Sequence, residues 1–477
     1  MTVSRRTFLK SSAAVTAISA TSGVVANVLG ETKKVTAETT LNKWRGRVAI
    51  NFNKDAVKDY AKKSVDNEVI AKMVDDTIIK LSEKDTVGDA WKEIFPDTLT
   101  ATSKIAIKTN FYAPSICPPP EILLAMVTGL RKMSIGGSNF TGDITIYEAN
   151  TGNSFQQAGY DEAAFKVEGS KATLLKATMG KGKDPATGES QYVTVLDDAD
   201  FLINVFSARG HEAYTEGFSL GFKSHYGTYI NSPVSTIHGT PGFSQRVRNL
   251  HCTGVIAKKQ VLSVSCAFYC NNEGDSMGST GTKSFSTYVK TMDSTATCES
   301  PSTLIMSTDA VSCEVQAIKI LKINKGKTYG VNDMPKYLRA SAGIAGALSD
   351  ATYDIGEIDE LKMDIRKIVN QTGIVAVTRR EHENRSEIRL TTTSLPRQRT
   401  TYFEFSLPSR LQGTGARLSV FDITGKQIFS TDLRVQGILN HYSWDRMSGA
   451  GMPVPAGRYV VELTAADVAC RELFLVA

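Results

Sequence analysis

The residue types that can do chemistry are concentrated in residues 201–251, which carry four of the six histidines of the chain. The four are His211, His225, His238 and His251. Lys223 lies among them. Imidazole acts as a base, an acid or a metal ligand near neutral pH. The stretch therefore predicts a site for acid–base, nucleophilic or metal chemistry.

His211 is the first candidate in this stretch. It follows the apolar run 201–206, which predicts a buried strand. Proteins with a parallel sheet place their ligand-binding groups just after such strand ends. We therefore predict that His211 is a catalytic residue. We also predict that His211, His225 and His238 are ligands of a metal ion. The alternative is a loop histidine bonded to the backbone.

Lys223 is the second candidate, because its neighbours Phe218, Leu220 and Phe222 are apolar. Burial lowers the pKa of a lysine and converts it into a base or a nucleophile. The alternative is a lysine that pairs with Asp309 or Glu314. Asp309 is itself a predicted catalytic residue after a further strand, with a helix N-cap as its alternative role.

The elements that must position these residues alternate along the chain. Strands are predicted at 104–111, 143–148, 172–177, 201–206, 261–269 and 302–307, with helices between several of them. This order predicts an α/β domain, residues 38–378, with a mainly parallel sheet and flanking helices. Lys108 and Asn110 end its first strand. Because strand ends meet in one crevice, we expect them beside the histidine loop.

A charged stretch, residues 379–400, predicts a linker. Short alternating strands separated by turns follow it, at 402–407, 416–423, 459–465 and 471–476. They predict an all-β sandwich over residues 401–477.

The first residues predict an export signal. Ser4-Arg5-Arg6-Thr7-Phe8-Leu9-Lys10 is a twin-arginine pattern, followed by an uncharged small-residue segment and a cleavage candidate near residue 37. Export makes the translocase a partner and places the protein in the periplasm, at the cell surface or outside the cell. Removing residues 1–37 takes away five basic residues and one acidic residue, so the net charge falls from +6 to about +2. That charge excludes nucleic acid as a predicted partner. No later segment reaches the roughly 20 apolar residues of a membrane anchor.

Two stretches resemble known families. Residues 418–433, Tyr442-Ser443-Trp444-Asp445 and 451–460 resemble the small immunoglobulin-like modules of flagellar-hook-capping and type IX sorting type that end many secreted bacterial proteins. The resemblance implies an immunoglobulin-like sandwich that serves as a sorting signal, an adhesion surface or a spacer. It implies no catalytic residues.

Residues 100–350 resemble the family known as domain of unknown function 362. Four short motifs carry the resemblance: Ile107-Lys108-Thr109-Asn110, the run 200–211 that ends in Arg209-Gly210-His211, the run 217–227 that includes Ser219 and Lys223, and the run 307–314 that includes Asp309. Some members are fused to ferredoxin-type iron–sulfur domains, and no general activity is assigned to the family. The resemblance implies that Lys108, Asn110 and Ser219 contribute to cofactor binding.

These observations predict an exported α/β enzyme with a site of histidine, lysine and acidic residues, of redox or proton-transfer type. Its substrate is an unidentified small molecule. A metal ion is the cofactor candidate. The alternative is a binding or scaffold protein that holds a small molecule or a surface partner without turnover.

Overall fold

The computed structural model describes residues 41–111, 113–148, 154–166, 172–177, 192–229, 242–276, 281–370, 389–394, 400–406, 415–422, 425–434, 439–466 and 468–476. The predicted signal peptide and His238 lie outside these ranges. The chain divides into two compact units, Met1–Gly373 and Ile374–Ala477.

A large sheet forms the centre of the first unit. Its eight described strands are β1 (Arg47–Phe52), β2 (Ile105–Lys108), β3 (Ile144–Glu148), β4 (Ala172–Lys176), β5 (Phe201–Ser207), β6 (Gln260–Ala267), β7 (Thr303–Ser307) and β8 (Asp364–Val369). Their order across the sheet is β8-β1-β7-β6-β5-β2-β3-β4. Every neighbouring pair is parallel except the two that involve β7. The predicted mainly parallel sheet is therefore confirmed.

Helices surround this sheet. They are α1 (Asn67–Ser82), α2 (Val87–Glu93), α3 (Pro120–Arg131), α4 (Glu162–Lys166), α5 (Val195–Asp198), α6 (Gly221–Ser224), α7 (Phe243–Cys252), α8 (Gly254–Lys259), α9 (Ser286–Met292), α10 (Ala310–Asn324) and α11 (Lys336–Ser341). Pro120 opens α3, where the missing amide hydrogen costs nothing.

The sheet is buried on both faces, because alternate residues of one strand enter different apolar clusters. On β5, Ile203 and Val205 pack with residues of α1, α2 and α3. Phe206 packs with residues of α7, α10 and α11 on the other face. Burial on both faces explains why the strands have nearly continuous apolar sequences.

The direction of β7 decides which residues can meet. The carboxyl ends of β2, β3, β5 and β6 lie at one edge of the sheet, here called the carboxyl edge. Since β7 runs against β6, its own carboxyl end lies at the opposite edge. Residues that follow β7 are thus separated from those that follow β5 by the length of a strand.

The second unit contains two antiparallel sheets in its described residues. Their strands are β9 (Arg389–Ser394), β10 (Thr401–Ser406), β11 (Gly415–Asp422), β12 (Gln427–Arg434), β13 (Leu439–Trp444), β14 (Gly457–Ala465) and β15 (Val468–Val476). One sheet has the order β9-β10-β13 and the other β12-β11-β14-β15. Phe403 and Trp444 of the first share a core with Leu418 and Val461 of the second, which is consistent with a sandwich. Strand β9 lies within the stretch that the charge pattern predicts as a linker.

Two further features bear on the expectations. No helix among the described residues is long and apolar enough to cross a membrane. All seven cysteines lie within the described ranges, and all are free. Five of them are buried.

Candidate functional site

Helix α6 carries Lys223 and is fixed at three points. The side chain of Asn204 on β5 donates to the Gly221 carbonyl (2.9 Å) and accepts from the Ser224 hydroxyl (2.8 Å). The backbone amide of Phe222 donates to the Glu314 carboxylate (2.7 Å). A helix of this length has little stability of its own, so these contacts determine its position.

The Lys223 side chain is buried without a partner. The residue is 7% exposed, and no hydrogen bond or ion pair holds its Nζ among the residues that the structure describes. Burial lowers the pKa of Lys223 well below the usual range of a lysine, and the charge of Arg209 lowers it further. The charge of Glu212 opposes this shift. Lys223 therefore loses its proton more readily than an exposed lysine does.

Arg209 is buried beside this lysine, at 1% exposure. Its Nε donates to the Ser219 carbonyl and its Nη1 to the Ile116 carbonyl, both at 3.4 Å. Within the described ranges Nη2 makes no hydrogen bond, and no carboxylate pairs with the guanidinium. Burial lowers the pKa of Arg209 to about 10. The group still carries its positive charge at neutral pH.

Lys108 has a different environment. Its Nζ pairs with the Glu148 carboxylate at 3.0 Å, with both side chains almost inaccessible. It also donates to the Thr109 carbonyl. A Cβ on Gly227 would lie 2.3 Å from the Glu148 carboxylate, so the backbone closes over this ion pair. Burial lowers the pKa of Lys108, while Glu148 raises it. The predicted cofactor ligand Lys108 is thus held in a structural ion pair.

The ionisable side chains at the carboxyl edge differ in whether they have a partner. Lys108 and Glu148 neutralise each other, whereas Arg209 and Lys223 have no carboxylate in hydrogen-bonding contact among the described residues. An unpaired charge in the interior costs several kcal/mol. We call these two residues the Arg209–Lys223 pair.

His211 also lies at this edge and is 3% exposed. Its Nδ1 accepts from the Glu212 backbone amide at 2.8 Å, and the Glu212 carboxylate lies against the same nitrogen. Glu212 thus engages Nδ1 of His211 through both its backbone and its side chain.

The two remaining predicted cofactor residues are buried at the same edge. Ser219 is 5% exposed, and its amide donates to the Arg209 carbonyl at 3.1 Å. It positions the loop that leads to α6 through its backbone. Asn110 is 7% exposed and follows β2. The structure thus places His211, Lys223, Lys108, Asn110 and Ser219 in the same part of the sheet.

His225 lies away from His211. Its Nε2 contacts the Gln260 side chain (2.8 Å) and its Nδ1 the Thr228 hydroxyl (3.2 Å). Gln260 is the first residue of β6, whereas His211 follows the last residue of β5. Those two strands are parallel neighbours, so the first residue of β6 and the last residue of β5 lie toward opposite ends of the sheet. The structure therefore does not bring His211 and His225 together as ligands of one metal.

His251 completes a buried neutral cluster with Gln260 and His225. Its Nε2 lies 3.2 Å from the Gln260 amide, and its ring stacks on Phe222 with centroids 4.1 Å apart. Burial lowers the pKa of His251 to about 3 and that of His225 well below its usual range. No group of three or more His, Cys, Asp or Glu side chains within the described ranges is arranged to hold a metal ion. The donor set predicted from His211, His225 and His238 is thus not assembled by the residues described.

Asp309 lies at the opposite edge, because β7 is antiparallel. Its carboxylate accepts from the backbone amides of Ser312 (3.0 Å), Gly46 (2.8 Å) and Glu357 (2.9 Å). It caps α10 and joins three chain segments. The N-cap alternative therefore describes Asp309, and its prediction as a catalytic residue does not fit this position.

Glu314 and Arg209 are the residues whose roles the sequence did not indicate. Glu314 is fully buried, and its carboxylate accepts from the Phe222 amide of α6 (2.7 Å) and from the Tyr337 hydroxyl of α11 (2.7 Å). Burial raises the pKa of Glu314 to about 7. Arg209 follows a buried strand, and a charged residue at such a strand end was the available signal.

Residues 105–319 match the family described as "Domain of unknown function (DUF362)". This match supports the resemblance seen in the four motifs. It brings no reaction and no site residues with it. No curated protein matches the chain.

Two solved structures from Porphyromonas gingivalis share small parts of the chain. One is dimeric latent PorU, 13% identical over 23% of this chain and 10% of its own, with a TM-score of 0.17. The other is PorZ, described as an essential surface component of the type IX secretion system, 15% identical over 18% of this chain and 11% of its own, with a TM-score of 0.14. The chain spans about a tenth of the length of these proteins. Such low scores carry no conclusion about fold or function.

Proposed function

We propose that the first unit is an enzyme that removes a proton from a carbon atom next to a carbonyl group, with the Lys223 amine as the base. The single observation that carries this proposal is the buried side chain of Lys223, whose Nζ has no hydrogen-bond partner among the described residues. A neutral amine in an apolar setting is a suitable base near neutral pH.

The neighbours of Lys223 suit this step. The proton passes from carbon to the electron pair of Nζ, which becomes an ammonium, and the electrons of the broken bond remain on the substrate as an enolate. The negative charge then develops beside the new ammonium and the Arg209 guanidinium. Both cations are removed from water, where such electrostatic stabilisation is strongest.

The proposal also includes a role for the N-terminal export pattern and for the second unit. The twin-arginine pattern supports export of the protein to the periplasm, the cell surface or the medium. The residue pattern around Trp444, together with the shared core of the two small sheets, supports an immunoglobulin-like module in the second unit. That module would act as a sorting signal, an adhesion surface or a spacer.

Carbon–hydrogen exchange tests the function without knowledge of the product. The full chain is incubated in D₂O with a panel of short 2-oxo, 2-hydroxy and 2-amino acids and of neutral ketones, and proton NMR follows the loss of the carbon-bound hydrogen. We expect exchange with at least one compound and its loss in Lys223→Met. The matched control is Lys259→Met, a half-buried lysine before β6 whose Nζ donates to Leu196 and Ala199 carbonyls.

Three outcomes decide the proposal. Exchange that disappears in Lys223→Met and persists in Lys259→Met supports it. Exchange that is equal in both variants contradicts it. A panel with no exchange at all also contradicts it.

A binding protein without turnover is the second candidate, because the Arg209–Lys223 pair would hold an anion whether or not a reaction follows. Saturable binding that depends on the pair, without hydrogen exchange in any bound compound, would favour this candidate. Residues at the edge of a parallel sheet serve both kinds of protein.

A further inference from the structure

We infer that the site takes a small monocarboxylate and that Arg209 is the residue that binds its carboxylate group. This inference rests on the proposed function of the same site and names its class of substrate. It is carried by the donors that the fold leaves unused beside Lys223.

Arg209 has the geometry for this task. The guanidinium is 1% exposed, and its two hydrogen bonds go to backbone carbonyls at 3.4 Å, near the upper limit for such bonds. Nη2 makes none among the described residues. A guanidinium presents paired donors that match the two oxygens of a carboxylate. The fold thus positions Arg209 through two long hydrogen bonds and leaves the Nη2 hydrogens for another group.

The chain does not supply that group from its described residues. Glu148 is the carboxylate next to the pair in the interior, and it is engaged by Lys108 at 3.0 Å under the backbone of Gly227. Glu212 lies against the His211 ring. A buried cation without a carboxylate is unfavourable, so an anion from outside would relieve this cost.

The charge of the pair indicates which anion fits. Arg209 contributes a single positive charge, which one carboxylate neutralises. A phosphate dianion would leave a buried negative charge or require Lys223 to take up a proton, which would remove the base. A monocarboxylate therefore keeps Lys223 able to act on the adjacent carbon atom.

Thermal unfolding and calorimetric titration of the full chain test this inference. The probes are acetate and pyruvate, with acetamide as the neutral analogue of acetate and inorganic phosphate and sulfate as competing oxyanions. We expect the carboxylates to raise the Tm with increasing concentration, acetamide to have no effect, and phosphate and sulfate to bind more weakly. A ligand that binds only the folded state raises Tm in this way.

The variants separate this inference from the proposed function. Arg209→Lys keeps the charge and removes the paired donors, so we expect binding at least about tenfold weaker. Arg209→Met abolishes it. Lys223→Met retains carboxylate binding while hydrogen exchange disappears.

Each contrary result contradicts either the inference about carboxylate binding or the proposed function. Acetamide that binds as well as acetate, phosphate that binds more tightly than acetate, or an Arg209→Lys variant with unchanged affinity would overturn the inference. Exchange of neutral ketones alone would also overturn it and leave the proposed function standing. Carboxylate binding through Arg209 without exchange would preserve the inference and refute the proposed function.

Discussion

The two edges of the large sheet treat buried charge in opposite ways. At one edge the Asp309 carboxylate is satisfied by three backbone amides from separate segments. At the carboxyl edge Arg209 and Lys223 are equally buried, and among the described residues no carboxylate pairs with either. The comparison teaches that burial alone does not mark a site, because structural charges are buried as well. Unused hydrogen-bonding capacity is the feature that separates the two edges.

Removing the satisfied charge should have the largest effect. Asp309→Ala leaves three buried amides without acceptors, and we expect the free energy of unfolding to fall by about 4 kcal/mol, measured by urea denaturation. The folded fraction should still bind carboxylates. An Asp309→Ala protein with unchanged stability that no longer binds carboxylates would contradict this account. It would show that Asp309 belongs to the binding site and is not a structural residue.

Breaking the Lys108–Glu148 pair comes next. Lys108→Met leaves a buried unpaired carboxylate, which should lower the free energy of unfolding by about 3 kcal/mol in urea denaturation. The double variant Lys108→Met/Glu148→Gln removes both charges and should recover part of this loss. If the double variant is no more stable than the single one, the ion pair is not the source of the effect.

The raised pKa of Glu314 predicts a smaller, pH-dependent change in the free energy of unfolding. Since burial raises its pKa to about 7, the folded state binds more protons than the unfolded state between the ordinary glutamate value and pH 7. The free energy of unfolding therefore falls as pH rises through this window, by on the order of 2 kcal/mol. Glu314→Gln should remove that fall, as chemical denaturation between pH 4.5 and 8 would show. An unchanged pH profile would contradict the raised pKa.

Lys223→Met should give the smallest change in stability, and in the opposite direction. The variant removes an unpaired buried amine, and we expect a gain of about 1 kcal/mol at pH 7 together with loss of hydrogen exchange. Because the pKa of Lys223 is lowered in the folded state, wild-type stability rises with pH between that lowered value and about 10.4. The variant lacks this rise in the same denaturation experiment. A destabilised variant would show that Lys223 is a structural residue.

Much of the fold follows from local patterns. The apolar runs and the helix signals predict the mainly parallel sheet, and the apolar neighbours Phe218 and Phe222 predict that Lys223 is buried. The direction of β7 could not be predicted, because a five-residue apolar run has the same pattern in both directions. That single strand moves Asp309 to the other edge and changes its role from catalysis to capping.

The pairing of charges also lay beyond the sequence. Lys108 and Glu148 are 40 residues apart in the chain and meet only because β2 and β3 are neighbours. Their pairing is what leaves the Arg209–Lys223 pair without a nearby free carboxylate among the described residues. In the histidine cluster, by contrast, side chains that could bind a ligand are occupied by another residue of the chain. His225 is a predicted metal ligand and His251 lies in the same stretch, yet Gln260 engages both rings.

The central claim is that Lys223 is a buried neutral amine beside a binding site for a carboxylate. Its most direct test is a pH titration of the full chain labelled with ¹³C at the lysine ε-carbons, with Lys223→Met to assign the signal. We predict that Lys223 titrates well below the usual lysine value of about 10.4 and that acetate does not move its pKa in the Arg209→Met variant. In the wild-type chain, acetate should bind and raise that pKa, because it partly cancels the charge of Arg209. A Lys223 signal that titrates at the usual value with and without acetate would contradict the account.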